Sequence, residues 1–381
     1  MKKRLLCLLL ALLCLGACGK PDATIEPEPD ARQPAEVTPP PAPEPETDPA
    51  EEYAAGLSVE EQIAQMFFAR CPEAGAAALA GEYNIGGYIL FGRDFEGQTR
   101  DSVRETVQSY QNAAGTPMLI GVDEEGGTVV RISSNPNFRA VKFHSPQSLY
   151  NEGGFELVTS DTKEKDELLA SIGINVNLAP VCDVSTDPAD FINARAFGQD
   201  AAATSEYVKT VVSQMVADGT GMVLKHFPGY GSNVDTHTGI AIDERPLDSF
   251  RESDFLPFKA GMAAGAQAVL VCHNVVTDMD AELPASLSPA VHKLLRDELG
   301  FDGVIMTDDL IMDAITEYTD GENAAVRAVQ AGNDMLISSD FVTQYNAVLT
   351  AVNAGTIDKA QVRQAATRVI RWKMQLGLID A

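Results

Sequence analysis

Short, near-continuously apolar runs recur along the chain, and stretches with helical spacing separate them. The runs are Gly86–Phe91, Met118–Val122, Ile174–Val181, Met222–His226, Ala268–His273, Gly303–Thr307 and Asp334–Ile337. A strand that is apolar on both faces must be covered on both faces, as strands of a parallel sheet wrapped by helices are. Ser205–Ala217, Phe255–Ala264 and Asn323–Ala331 carry apolar residues at the spacing of amphipathic helices. Strand alternating with helix argues a parallel α/β sheet. Seven such units, with an eighth poorly marked, predict a (β/α)8 barrel or a close variant in one catalytic domain. A doubly wound open sheet is the alternative, but no glycine-rich phosphate turn follows the first run. Helix signals frame the series. Ser58 and Glu61 can form a capping box at the start, and a last helix is expected around Val362–Gln375.

The first fifty residues have a different character. Lys2, Lys3 and Arg4 precede an apolar run from Leu5 to Leu15, too short to span a bilayer as a stable helix. Leu15-Gly16-Ala17-Cys18 resembles a bacterial lipobox, which implies a signal peptide over 1–17, lipidation at Cys18 and an outward-facing, membrane-anchored protein. Residues 19–52 hold 10 of the chain's 21 prolines, with Asp and Glu between them. Such a segment cannot bury enough apolar surface to fold. At about 3.1 Å per residue it would serve as an extended tether. The folded part is then expected over 53–381.

Composition narrows the partners. The net charge is −27, and removing the three basic residues of the signal makes it −30. Such a surface repels nucleic acid and anionic lipid, so the membrane is met through the lipid anchor only. No protein partner is indicated. Cys71, Cys182 and Cys272 remain after the signal and Cys18 are set aside, an odd number that gives no disulfide framework. Cys182 and Cys272 lie in apolar runs and are expected to be buried thiols.

Chemically capable residues follow six of the seven runs: Asp123-Glu124-Glu125, Asp183, Lys225-His226, His273-Asn274, Asp308-Asp309 and Ser338-Ser339-Asp340. In a barrel the C-terminal strand ends form the active-site face. The richest stretch is Lys225-His226-Phe227-Pro228-Gly229-Tyr230-Gly231-Ser232-Asn233-Val234-Asp235-Thr236-His237. An Asp beside a His can orient the imidazole and raise its pKa, which suits acid/base work near neutrality.

Together these segments resemble the β-N-acetylglucosaminidase branch of glycoside hydrolase family 3. The resemblance rests on Lys225–Gly231 with Asp235-Thr236-His237, on Gly303–Leu310, on Val122–Gly127 with Arg131, on Gly173–Val181, on Ala331–Leu336 and on Arg195–Gly198. It covers roughly residues 55 to 380. Two departures stand in the catalytic loop: Tyr230 where the family usually has His, and a Gly231-to-Asp235 spacing one residue shorter than the commonest form.

The resemblance implies a retaining exo-glycosidase acting on terminal β-linked N-acetylglucosamine (GlcNAc), with peptidoglycan fragments as the target. Asp308 would be the nucleophile, and His237 the acid/base, oriented by Asp235. Asp123, Arg131, Arg195, Lys225 and His226 would hold the sugar, and the basic members of this set would also meet an anionic muramyl neighbour. If His237 were not the proton donor, Glu124, Glu125 and Tyr230 would come next. The second domain of many family 3 β-glucosidases is not expected, because Ala381 closely follows the last helix. No cofactor and no metal are implied. The other readings are a phosphorylase or β-glucosidase of the same family, a non-catalytic muropeptide-binding lipoprotein, and a metal hydrolase built on His226, Asp235, His237 and His273.

Overall fold

The computed structural model describes residues 48–233, 241–312, 315, 318–319 and 324–380. The signal, Cys18 and the tether up to residue 47 lie outside the described residues. Among those described, no helix is long and apolar enough to cross a membrane. Helical structure begins at Pro49, before the expected boundary at residue 53. Asp48 caps the helix Pro49–Gly56, whose Ala50 and Ala54 are buried with Ala366 and Ile370 of the last helix, Lys359–Gln375. Arg371 pairs with Asp48. Pro49 reads as tether in the sequence, but proline suits the first helical position because its missing N–H would be unpaired there anyway.

Among the described residues there are ten strands: β1 Phe67–Arg70, β2 Gly87–Leu90, β3 Leu119–Val122, β4 Val176–Asn177, β5 Gly221–Phe227, β6 Ile242–Asp243, β7 Ala268–Val271, β8 Val275–Val276, β9 Val304–Thr307 and β10 Leu336–Ser338. Eight form one sheet in the order β10-β1-β2-β3-β4-β5-β7-β9, and every ladder in it is parallel. A parallel bridge between Met306 and Met335 returns β9 to the β10 edge, so the sheet closes into a barrel. The remaining pair, β6 and β8, forms a small parallel ladder of its own.

The poorly marked eighth strand is β1. Met66 ends the helix Val59–Gln65, and Phe67 starts the strand with no turn residue between them. A short apolar run joined directly to a helix reads as more helix, and only pairing with β2 and β10 makes it a strand. Ile174–Val181 shortens to Val176–Asn177, with an outlying bridge from Val181 to Lys225. The capping box at Ser58 and Glu61 is present, with Glu61 N–H to Ser58 Oγ at 3.2 Å and Ser58 N–H to Glu61 Oε2 at 2.8 Å.

One apolar cluster gathers Phe68, Ile89, Leu119, Val176, Val223 and Val304 from six strands and packs them with Val369 and Trp372 of the last helix. Phe68 is large for such a place, and Gly121 on β3 makes room for it. A Cβ at 121 would lie 2.5 Å from Phe68 Cζ. Cys71, Cys182 and Cys272 are free and buried.

Side chains help to fasten the β9–β10 side, which has a single bridge in place of a ladder. Asp334 Oδ2 accepts the Ile305 N–H at 2.8 Å, and Thr307 Oγ1 accepts the Ile337 N–H at 3.2 Å. Arg296 and Arg368 hold Asp334 at one end, and Asp309 holds Ser339 at the other.

Candidate active site

Three consecutive acids leave β3 and take three different jobs. Glu124 is fully buried. Its carboxylate accepts the N–H groups of Arg131 and Ile132 at 2.8 Å and of Ser133 at 3.2 Å, together with the Ser133 hydroxyl. These bonds fold the following loop back over the strand end. Gly126 permits the turn, because φ is +102° there and a Cβ would lie 2.1 Å from His144 O. The loop sets Arg131, whose Nη2 lies 3.6 Å from Asp123 Oδ2. Asp123 Oδ1 accepts from Lys225 Nζ at 2.7 Å.

Glu125 is the centre of charge. Its Oε1 lies 2.6 Å from Lys225 Nζ, and Arg195 donates to both of its oxygens, at 2.8 and 3.0 Å. Burial opposes its ionisation, yet the Lys225 ammonium and the Arg195 guanidinium hold its carboxyl well below the usual carboxylate range. Burial also works against charge on Lys225, and Asp123 and Glu125 overcome it, so its pKa rises.

His226 extends the chain of bonds. Its Nε2 lies 3.1 Å from Arg195 Nη2, and a guanidinium has only donors, so Nε2 accepts. Nδ1 then carries the proton and donates it to Asp183 Oδ2 at 2.8 Å. Asp183 also accepts the N–H of His226 at 3.1 Å and that of Tyr230 at 2.8 Å, binding both ends of the Pro-Gly turn. The peptide bonds Ala179–Pro180, Lys225–His226 and Phe227–Pro228 are cis. Tyr230, the residue that departs from the family pattern, is buried edge-on against His226, with ring centroids 5.1 Å apart.

Asp308 follows β9. Its Oδ1 accepts the N–H of Asp309 at 2.8 Å, and its own N–H donates to Val271 O at 3.2 Å. Asp309 is tied to Ser339; burial raises its pKa against the lowering effect of the Ser339 hydroxyl. Asp123, Arg131, Arg195, Lys225, His226 and Asp308 all line one cavity of about 530 Å³ at the C-terminal ends of the barrel strands. The structure therefore places these six expected site residues around one cavity.

Asp235 and His237 lie outside the described residues. The described flanks of their loop are braced. Asn233 Nδ2 donates to Asp243 Oδ2 at 2.8 Å, and Arg245 joins Asp243 to Asp254 at 2.8 and 3.0 Å. Glu124 and Glu125, named above as further proton donors, are both committed to other groups. The metal-hydrolase reading fares poorly on its two described histidines. Both ring nitrogens of His226 are engaged as above, and those of His273 face Ser286 Oγ at 2.7 Å and Asp309 O at 3.1 Å.

Sequence reasoning gave no site role to Asp183 and named Glu125 only as a reserve proton donor. Asp183 stood in plain view as a polar strand end. Glu125 was obscured by its acidic neighbours.

Comparison with known proteins fits this geometry. Residues 58–372 match the model of the glycosyl hydrolase family 3 N-terminal domain. A β-hexosaminidase of Stenotrophomonas maltophilia (strain R551-3) is 35% identical over 265 residues, 66% of this chain and 76% of that protein. One from Xylella fastidiosa (strain M12) is 33% identical over 239 residues, 61% and 69% of the two chains. Among solved structures, a family 3 β-N-acetylglucosaminidase from Paenibacillus sp. str. FPU-7 superposes with a TM-score of 0.79 at 28% identity. That match covers 85% of this chain and 64% of the Paenibacillus chain. A β-N-acetylhexosaminidase from Beutenbergia cavernae DSM 12333 gives 0.74 at 27% identity, covering 83% and 98%. The chain belongs to glycosyl hydrolase family 3, within its β-N-acetylhexosaminidase group.

Proposed function

We propose that this enzyme removes terminal β-linked GlcNAc from peptidoglycan fragments, with GlcNAc-β-1,4-N-acetylmuramic acid as its natural linkage, and that it retains anomeric configuration. The observation that carries this reading is the single cavity in which Asp308 stands with the Asp123, Lys225, Arg195 and His226 array. Asp123 would accept hydrogen bonds from sugar hydroxyls, and Arg131, Arg195 and Lys225 would donate to them. Pairing with Glu125 and Asp183 pre-orients the array, so little ordering cost is left for the moment of binding.

The proposed reaction runs in two displacements. An Asp308 oxygen bonds to the anomeric carbon as the glycosidic C–O bond breaks, and His237 gives its proton to the leaving oxygen. Water then adds to the same carbon while His237 takes its proton, and the bond to Asp308 breaks to release GlcNAc. Asp235 would set the tautomer and pKa of His237. On the same proposal the enzyme faces outward on a lipidated Cys18. Cys18→Ala should release it from the membrane fraction or leave it with an uncleaved signal, and unchanged detergent partitioning would remove the anchor.

The test of the activity is incubation with aryl β-GlcNAc, aryl β-glucoside and GlcNAc-β-1,4-N-acetylmuramic acid. Fast release from the first and third is expected. Equal rates on β-glucoside and β-GlcNAc would overturn the GlcNAc preference, and an inert disaccharide would overturn the peptidoglycan assignment.

A further inference from the structure

Most of the cations of the cavity are already balanced by the protein. Lys225 lies against Asp123 and Glu125, Arg195 against Glu125, and Arg131 3.6 Å from Asp123. They can donate hydrogen bonds to a neutral sugar, but each already faces a carboxylate, which weakens its pull on a second, anionic sugar.

Arg70 differs from them. It ends β1, lines the same cavity and is exposed. Among the described residues it makes no ion pair. Its guanidinium carbon lies 4.5 Å from the centre of the Phe91 ring, and that of Arg131 lies 5.8 Å from the same ring. Asp94, the acid whose charge is felt from Arg70, is already engaged. Its Oδ2 accepts the Phe91 N–H at 2.7 Å, and its Oδ1 lies 3.7 Å from Arg93 Nε. A guanidinium stacked on an aromatic face keeps its plane fixed and its edge available, the arrangement that suits a forked bond to a carboxylate. In a chain of net charge −27, an unbalanced cation at the rim of the substrate cavity works against the general field of the surface. Phe191 and Ile311, 38% and 55% exposed, line the same cavity and offer apolar surface to a sugar ring.

We propose that Arg70, held by Phe91, is the specificity residue of an aglycone subsite that takes a carboxylate carried by the leaving group. The buried array serves the neutral terminal sugar, and the exposed Arg70 serves what is attached to it. The inference rests on reading this cavity as the glycosidase site, and it deepens that reading by giving the aglycone its chemistry.

The test compares 4-carboxyphenyl β-GlcNAc with its uncharged 4-carboxamidophenyl analogue, each cleaved by wild type, Arg70→Gln and Arg70→Lys. Taking the ratio of variant to wild type on each substrate cancels the difference in leaving ability. Arg70→Gln should lose about 10-fold in kcat/KM on the carboxylate, the scale of one charge-assisted bond, and nothing on the amide. Arg70→Lys should keep part of the preference, having the charge without the fork. Thermal melting should be unchanged, since the side chain is exposed. Equal losses on both substrates, or no loss on either, would overturn the subsite, as would a wild type that cleaves neither. Discrimination between the aryl glycosides without cleavage of GlcNAc-β-1,4-N-acetylmuramic acid would leave the subsite standing and remove the natural substrate alone.

Discussion

Nδ1 of His226 lies 2.8 Å from Oδ2 of Asp183, joining the end of β5, where His226 stands, to the segment that follows β4. The contact fixes which ring nitrogen is left to accept from Arg195. Asp183→Asn would present either an amide N–H or a neutral oxygen to Nδ1 and would weaken the hold on the Tyr230 N–H. The expected result is a loss of about 10- to 100-fold in kcat/KM on aryl β-GlcNAc, the equivalent of about 1.5–3 kcal/mol for hydrogen bonds to a charged group. The measurement is steady-state kinetics beside a thermal melt; full activity would show that the tautomer of His226 is immaterial to the reaction.

The proposed acid/base and nucleophile separate by leaving group. His237→Ala should lose about 10²- to 10⁴-fold when the leaving group is a sugar. It should lose far less with an activated aryl group, whose departure needs little protonation. Asp235→Asn should show a milder form of the same pattern. Asp308→Asn should abolish both reactions. Equal losses for His237→Ala on the two substrates would assign it a holding role instead of proton transfer.

Glu125 binds the buried Lys225 and the half-buried Arg195, so Glu125→Gln leaves Lys225 paired with Asp123 and takes from Arg195 its paired carboxylate. Breaking a buried ion pair from one side costs about 3–5 kcal/mol, because the partner charge stays behind. Denaturant unfolding should show a loss of that order, along with weakened substrate binding. A midpoint equal to wild type would mean that Asp123 alone suffices to balance both cations.

Asp166 gives a pH dependence unrelated to catalysis. Burial pushes its carboxyl up to about 8 from 3.8, and nearby Asp218 pushes in the same direction. A raised folded-state pKa means that the protonated form is favoured by folding. Its contribution to stability is complete below about pH 4 and is lost as pH rises to about 8. Asp166→Asn imitates the protonated acid. It should melt close to wild type at about pH 4 and above it at about pH 9. A constant difference across that range would show that Asp166 does not titrate between the two limits.

The strands most readable in the sequence are those flanked by turns and covered on both faces, such as Leu119–Val122 and Ala268–Val271. β1 was not readable, because what distinguishes it from helix is its two neighbours in space. The site follows the same division. Residue types at strand ends are local information, so Asp123, Lys225, His226 and Asp308 could be picked out. Which of three adjacent acids faces the sugar is not local. The roles of Asp123 and Glu125 depend on Lys225 and Arg195, far along the chain, and that of Glu124 on how the backbone of residues 131–133 folds back. The free charge of Arg70 was hidden for the same reason, since it is defined by the pairing of the other cations.

The joint between β9 and β10 places the proposed nucleophile beside the clasp of a hoop. Asp309 fastens Ser339, Thr307 fastens Ile337 and Asp334 fastens Ile305, so side chains do part of the work that backbone ladders do elsewhere around the barrel. Substitutions at Asp309, Ser339 or Asp334 therefore act on two quantities together: how tightly the cylinder is shut, and where Asp308 stands relative to the cations across the cavity. An activity lost at one of these positions is a measure of closure before it is a measure of chemistry.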